Sequence, residues 1–202
     1  TMLTLIRCGW YTMPVFCTIG TFVNAPAVFL PVDSKALLCV LNSKIVWEFL
    51  KSICVVRSGG YIEVKPQYFE QIPIPEIKSE SALENKANTI IELVNDFQIS
   101  ASRFQNYILS HFNLEKLTRK LENWHELDFA DFINELNKTI KKVGGTPHTK
   151  KEEFEWLELF EDNKKKAQDL QTQITQTEKQ IDEMVYDLYG LTQEEREIVE
   201  NS

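Results

Sequence analysis

Two long runs of apolar residues at helical spacing constrain the fold of this chain more than any other feature. In each run the positions recur at alternating intervals of three and four residues, the pattern of a helix with one buried face. The first run is Leu83, Ala87, Ile90, Val94, Phe97, Ala101, Phe104 and Ile108, and the second is Phe160, Asn163, Ala167, Leu170, Ile174, Thr177, Ile181, Met184 and Leu188. We call these sets the first and second seams. Their similar lengths predict two long helices that pack as an antiparallel pair.

Local motifs predict several helix ends. Three Ser/Thr-x-x-Glu sequences match the capping box, at 81–84, 149–152 and 192–195. Gly190 suits the C-terminal cap of the second seam helix. Two shorter helices are expected between the seams, at 114–127 and 128–143.

Residues 1–78 have a different pattern, with short β-rich runs separated by glycine and proline. We expect strands at 15–19, 27–30 and 61–65, a helix from Ala36 to about Ser52 capped by Asp33 or Ser34, and an extended segment at 66–75. The predicted fold class is therefore α+β. A small α/β domain at 1–78 precedes a helical region at 79–202 with a long antiparallel coiled-coil-like helix pair.

Charge is divided unequally between these two regions. Residues 1–78 contain seven Lys/Arg and five Asp/Glu, a net charge of +2, and residues 79–202 contain fifteen Lys/Arg and twenty-five Asp/Glu, a net charge of −10. Phosphates repel an acidic surface, so any nucleic-acid contact is expected mainly in residues 1–78.

The turn at 57–61 is the best local candidate for a nucleic-acid contact. Paired glycines allow the backbone to approach a phosphate, and an arginine binds a phosphate or a guanine edge through two hydrogen bonds. The residues are Arg57, Ser58, Gly59, Gly60 and Tyr61. An ordinary turn with a solvated arginine is the alternative. Lys44, Lys65 and Arg7 are further candidates for phosphate or base contacts, although such side chains are commonly just solvated.

The sequence contains no recognisable catalytic constellation. Glu63-Val64-Lys65 matches half of a nuclease metal site, but the upstream acids, Asp33 and Glu48, fall at or beside the predicted helix. There is no Asn-Pro-Pro-Tyr or Asp-Pro-Pro-Tyr motif, glycine-rich cofactor loop or nucleophile elbow. The histidines and cysteines lack zinc-ligand spacing, so we expect no metal, and whether the chain is an enzyme stays open.

The order of motifs from Leu37 to Pro75 resembles a known family. An apolar helix is followed by Arg-Ser-Gly-Gly, a short strand and Ile-Pro-Ile-Pro. This order is similar to the TaqI-like C-terminal specificity, or target recognition, domains of type II (type IIG-like) restriction-modification enzymes. The stretches 127–133 and 181–200 also resemble the end of such enzymes, and the helices after residue 78 resemble the spacer helices of type I specificity subunits.

The resemblance implies that residues 1–78 recognise double-stranded DNA and that residues 79–202 act as a spacer and dock a methyltransferase domain. The first strands of a complete recognition domain would then precede Thr1. The N6-adenine methyltransferase and nuclease would lie outside this segment, with S-adenosylmethionine and magnesium as cofactors of the parent enzyme and none here. A cytoplasmic location with no membrane contact is expected. The alternative is a coiled-coil protein–protein interaction module that does not bind DNA.

Overall fold

The computed structural model describes the backbone of residues 2–8, 11–17, 29–30, 32–56, 62–77 and 80–202, and the side chains of 32–55, 62, 64–77 and 80–202. Its strands are β1 (Met2–Cys8), β2 (Tyr11–Cys17), β3 (Phe29–Leu30), β4 (Val55–Val56) and β5 (Ile62–Glu63). Its α-helices are α1 (Lys35–Asn42), α2 (Lys44–Ile53), α3 (Pro66–Phe69), α4 (Glu80–His111), α5 (Arg119–Glu122), α6 (Phe129–Lys142), α7 (Lys150–Tyr189) and α8 (Gln193–Glu200). A 3₁₀ turn spans Trp124–Glu126.

The predicted α+β fold with a small α/β domain is wrong, because the structure is predominantly helical. Helices account for most of the described residues. In the described backbone, β1 pairs antiparallel with β2 and β3, and β4 pairs antiparallel with β5. These ladders differ from a parallel sheet covered by helices, which is what an α/β domain requires. β-branched, apolar runs predict extended backbone, but they do not specify the partner strand.

Both seam helices form as predicted. The first seam lies in α4 and the second in α7, and every seam position is buried or half-buried. The capping box of Thr149 and Glu152 begins α7, and that of Thr192 and Glu195 begins α8. The predicted start at Ser81 is wrong, since α4 already includes Glu80.

Predictions for the shorter elements were mixed. The helix predicted at 128–143 forms as α6, with Asp128 as its N-cap, whereas the helix predicted at 114–127 is reduced to α5 and the 3₁₀ turn. Ser34 caps α1, but the helix predicted from Ala36 breaks at Ser43 into α1 and α2. The segment predicted as extended contains one helical turn, α3, because proline is compatible with the first turn of a helix.

The chain divides into two compact units, residues 1–90 with 176–202 and residues 91–175. In the first unit, α1 and α2 supply most of the buried residues of the N-terminal segment: Ala36, Leu38, Cys39, Val40, Leu41, Val46 and Leu50. The start of α4 and the end of α7 belong to the same unit, where Lys86 Nζ donates to Gln180 Oε1 at 2.6 Å. The assignment of recognition to residues 1–78 and docking to 79–202 stays a prediction.

An aromatic cluster forms the core of the second unit. The Phe132 and Phe160 rings stack at a centroid distance of 4.5 Å, and Phe104 contacts Trp124 at 4.4 Å. All four side chains are buried. Aromatic contacts of this kind stabilise a core beyond the free energy of area burial. Among the described helices, none is both long and apolar enough to cross a lipid bilayer.

Candidate nucleic-acid interface

A β-hairpin in the first unit carries the segment that the sequence singles out. Val55 pairs with Glu63 and Val56 with Ile62, so residues 57–61 connect two paired strands. The base of the hairpin is anchored, since Cys54 and Ile62 are buried. The backbone N–H of Cys54 also donates to the carbonyl of Leu50, which ties the start of the hairpin to the last turn of α2.

The predicted contact residues of the turn fall on the undescribed part of this hairpin. Arg57, Ser58, Gly59 and Gly60 lie outside the described residues, so their assignment stays a prediction. Arg7 lies on β1 opposite Thr12, and its side chain is outside the described set. Lys65 is exposed. It lies two residues after β5 and directly before the first residue of α3. Lys65 therefore follows the second strand of the hairpin closely along the chain.

Lys44 makes contacts within the protein. Its Nζ donates to the backbone carbonyl of Glu200 at 2.7 Å and lies 3.2 Å from Oε2 of the same residue. Its backbone N–H donates to Oδ1 of Asp182 at 2.8 Å. These contacts give Lys44 a structural role at the start of α2 and do not support its predicted role as a phosphate contact.

Asp182 caps α2 from a distant part of the sequence. Ser43, the residue before α2, makes no side-chain cap, because its Oγ donates to the carbonyl of Val40 at the end of α1. The carboxylate of Asp182 accepts the free N–H instead and also lies at the positive end of the helix dipole. Burial raises the pKa of Asp182 to about 6.

A second polar network joins α7 to α8. The Tyr186 hydroxyl donates to Oε1 of Glu200 at 2.6 Å, and this hydrogen bond lowers the pKa of the Glu200 carboxyl. Burial raises the pKa of Tyr186. The guanidinium of Arg196 donates to Glu183 and Asp187, each at 2.6 Å. Such charge-assisted hydrogen bonds fix the direction of a short helix with no buried residue of its own.

The proline-rich segment after the hairpin is also attached to α7. The Tyr189 hydroxyl donates to the carbonyl of Pro73 at 2.8 Å, and Ile72 is buried. The hairpin thus lies between two anchored segments, α2 before it and 72–73 after it, and both are held by the end of α7. This arrangement suits a rigid support for a loop that contacts a ligand.

Sequence reasoning did not find the anchoring residues Asp182, Tyr186, Arg196 and Glu200. A partial signal exists, since Asp182 follows the seam residue Ile181, and Val185 and Tyr186 extend the apolar face beyond the seam. Nothing local indicates which helix they contact. Among the described residues, no group of three or more His, Cys, Asp or Glu side chains is placed to hold a metal ion.

Comparison with known protein families finds a match to the helical part of the chain. A family model described as "Domain of unknown function (DUF8810)" matches residues 76–185, more than half of the chain. No curated protein and no solved structure matches the chain.

Proposed function

The chain belongs to the family described as Domain of unknown function (DUF8810), and we propose that it is a DNA sequence-recognition module of a restriction-modification enzyme. In this proposal the module directs an N6-adenine methyltransferase and a nuclease that lie outside residues 1–202. Those activities would use S-adenosylmethionine and magnesium, and the assembly would act in the cytoplasm.

The observation that carries the proposal is the anchored hairpin β4–β5. Its connection has the sequence Arg57-Ser58-Gly59-Gly60-Tyr61, which combines a bidentate donor with glycines that permit close backbone approach. Its base is fixed by buried side chains and by the end of α7. A reading loop needs a rigid base, because each base-edge contact depends on hydrogen-bond geometry.

The charge distribution supports separate sources for the selectivity and for the affinity of DNA binding. With a net charge of −8, the whole chain is a poor general binder of DNA. A few base contacts of about 1–3 kcal/mol each would nevertheless select a sequence. Most affinity for DNA would come from the methyltransferase to which the helical region docks.

The alternative is a protein–protein interaction module without DNA binding. The two long seam helices and the net charge of −8 fit it, and Phe154 on α7 is 76% exposed. Under this alternative, the composition of residues 57–61 has no particular purpose.

Selection from a random pool of duplex DNA separates the two proposals. The chain is incubated with the pool at low salt, and the bound fraction is amplified and sequenced over several rounds. A specificity module enriches one motif. Recovery of no motif, even at low salt and high concentration of the chain, would contradict the specificity module and favour the interaction module.

A further inference from the structure

A lysine-rich surface in the second unit has no part in the site described above. Residues 136–151 contain five lysines and no acidic residue, in a chain of net charge −8. The lysines are Lys138, Lys141, Lys142, Lys150 and Lys151, and all five are exposed. We call this set the basic surface.

The fold brings the two halves of the basic surface together. Lys138, Lys141 and Lys142 lie three and four residues apart near the end of α6, so they share one helix face. Lys150 and Lys151 begin α7. Asn137 of α6 connects the halves, because its Oδ1 accepts the backbone N–H of His148 at 2.9 Å and lies 2.7 Å from His148 Nδ1.

The turn between the halves has a defined structure. Gly144 has a φ of +81°, and its N–H donates to the carbonyl of Lys141. The N–H of Gly145 donates to the carbonyl of Ile140. These two hydrogen bonds make a Schellman cap. The His148 ring also packs edge-on against Phe112 and Trp156 at 5.2 and 5.5 Å. The basic surface is therefore preorganised.

Most of its positive charge is available to a ligand. Lys138 and Lys150 pair with Glu135 and Glu153, but their side chains remain 69% and 93% exposed. Ion pairs this exposed are weak and exchange readily. In the described part of the chain, Lys141, Lys142 and Lys151 have no acidic partner within 4 Å.

The position of two lysines argues against a purely stabilising role. Lys141 and Lys142 lie in the last turn of α6, where a cation is favoured by the helix dipole. Lys150 and Lys151 lie in the first turn of α7, where the dipole disfavours a cation. The helix dipole therefore does not account for the second pair, of which Lys150 forms a local ion pair with Glu153, whereas an anionic ligand suits both lysines.

We propose that the basic surface binds the phosphate backbone of duplex DNA without regard to base sequence. This inference rests on the proposed function, and it adds a contact in the helical region, whereas the charge distribution predicted DNA contacts mainly in residues 1–78. The contact would supply affinity and register, while residues 57–61 supply the choice of sequence.

A triple substitution tests the inference. Lys141→Ala, Lys142→Ala and Lys151→Ala are combined in the full chain, and binding to a labelled duplex of arbitrary sequence is measured by fluorescence anisotropy from 50 to 200 mM salt. The slope of log K against log salt is negative, and each lost phosphate contact reduces its magnitude by about 0.9. We expect the magnitude of the slope to fall by about 2–3.

A matched triple variant controls for net charge. Lys116→Ala, Lys165→Ala and Lys166→Ala also removes three exposed lysines of the second unit. We expect this variant to keep the wild-type slope within about 0.5. Circular dichroism melting of each variant confirms that it is folded.

The outcomes distinguish this inference from the proposed function. Equal slopes for the two triple variants, or no binding of the wild-type chain to the duplex, would overturn the inference. If the wild-type chain selects a motif but the first triple variant keeps the wild-type salt slope, the result contradicts this inference and leaves the proposed function standing. If the first triple variant has a slope of smaller magnitude but the wild-type chain selects no motif, the result supports this inference and contradicts the specificity role.

Discussion

The carboxylate of Asp182, near the end of α7, accepts a hydrogen bond from the backbone N–H of Lys44, the first residue of α2, at 2.8 Å. These residues are 138 positions apart in the sequence. The contact replaces the side-chain cap that Ser43 does not provide. It therefore holds α2, and the hairpin that follows α2, on the helix that contains the second seam.

Asp182→Asn is expected to stabilise the protein at alkaline pH. Burial raises the pKa of Asp182 from 3.8 to about 6, so the fold favours the protonated carboxyl. The protonated carboxyl of Asp182 contributes its full stabilisation below about pH 3.8, and this contribution is lost as the pH rises through about 6. Asparagine keeps the acceptor and removes the charge. We expect a gain on the order of 1–2 kcal/mol at pH 8 and almost none at pH 4, measured by urea denaturation.

Asp182→Ala is the control for the hydrogen bond itself. It removes both the acceptor and the charge, and loss of an N-cap costs about 1 kcal/mol. At pH 4 the alanine variant should be less stable than the asparagine variant. Equal stability of the two variants at pH 4 would mean that Asp182 does not cap α2.

Phe160→Ala is expected to destabilise the second unit strongly. Phe160 is fully buried and stacks on Phe132, so its removal leaves a cavity that costs about 3–5 kcal/mol. Phe154→Ala, on the same helix, removes a side chain that is 76% exposed and should change stability by less than about 0.5 kcal/mol. Urea denaturation followed by tryptophan fluorescence compares them. Similar losses in both variants would contradict the burial of Phe160.

Gly144→Ala is expected to lower the thermal midpoint, since Gly144 has a φ of +81° and alanine in that conformation is strained by about 1–2 kcal/mol. Gly144→Asn should cost less, because asparagine adopts this conformation more readily. Space does not limit either substitution, as no other atom lies within 4 Å of the added Cβ. A lower midpoint for asparagine than for alanine would contradict the Schellman cap.

The sequence predicts the long helices well because their burial follows from local periodicity. Alternating intervals of three and four residues place one face against a core whatever the partner is, and the seams of α4 and α7 are buried or half-buried throughout. The caps at Thr149 and Thr192 were found for the same reason, since each involves residues only three positions apart.

Features that depend on distant contacts were not predicted. The break at Ser43 lies within a continuous apolar run, and Asp182 supplies the new helix start from far along the chain. The α/β domain was inferred from β-rich runs, whose composition does not distinguish antiparallel ladders from a parallel sheet. The glycine pair predicted a turn, and the strands on either side of it pair as a hairpin, but the roles of the residues at 57–61 stay predictions.

Reading of DNA by the hairpin connection is the central claim, and Arg57→Ala tests it most directly. Affinity is measured for the selected motif and for every single-base variant of it, with Arg119→Ala as the control, an arginine exposed in the second unit. We predict that Arg57→Ala relaxes discrimination at one base position by about 5- to 150-fold and leaves discrimination at the other positions unchanged. Arg119→Ala should alter discrimination at none of the positions. Unchanged discrimination at every position in the Arg57→Ala protein, or an equal loss of affinity for all sequences, would contradict the account.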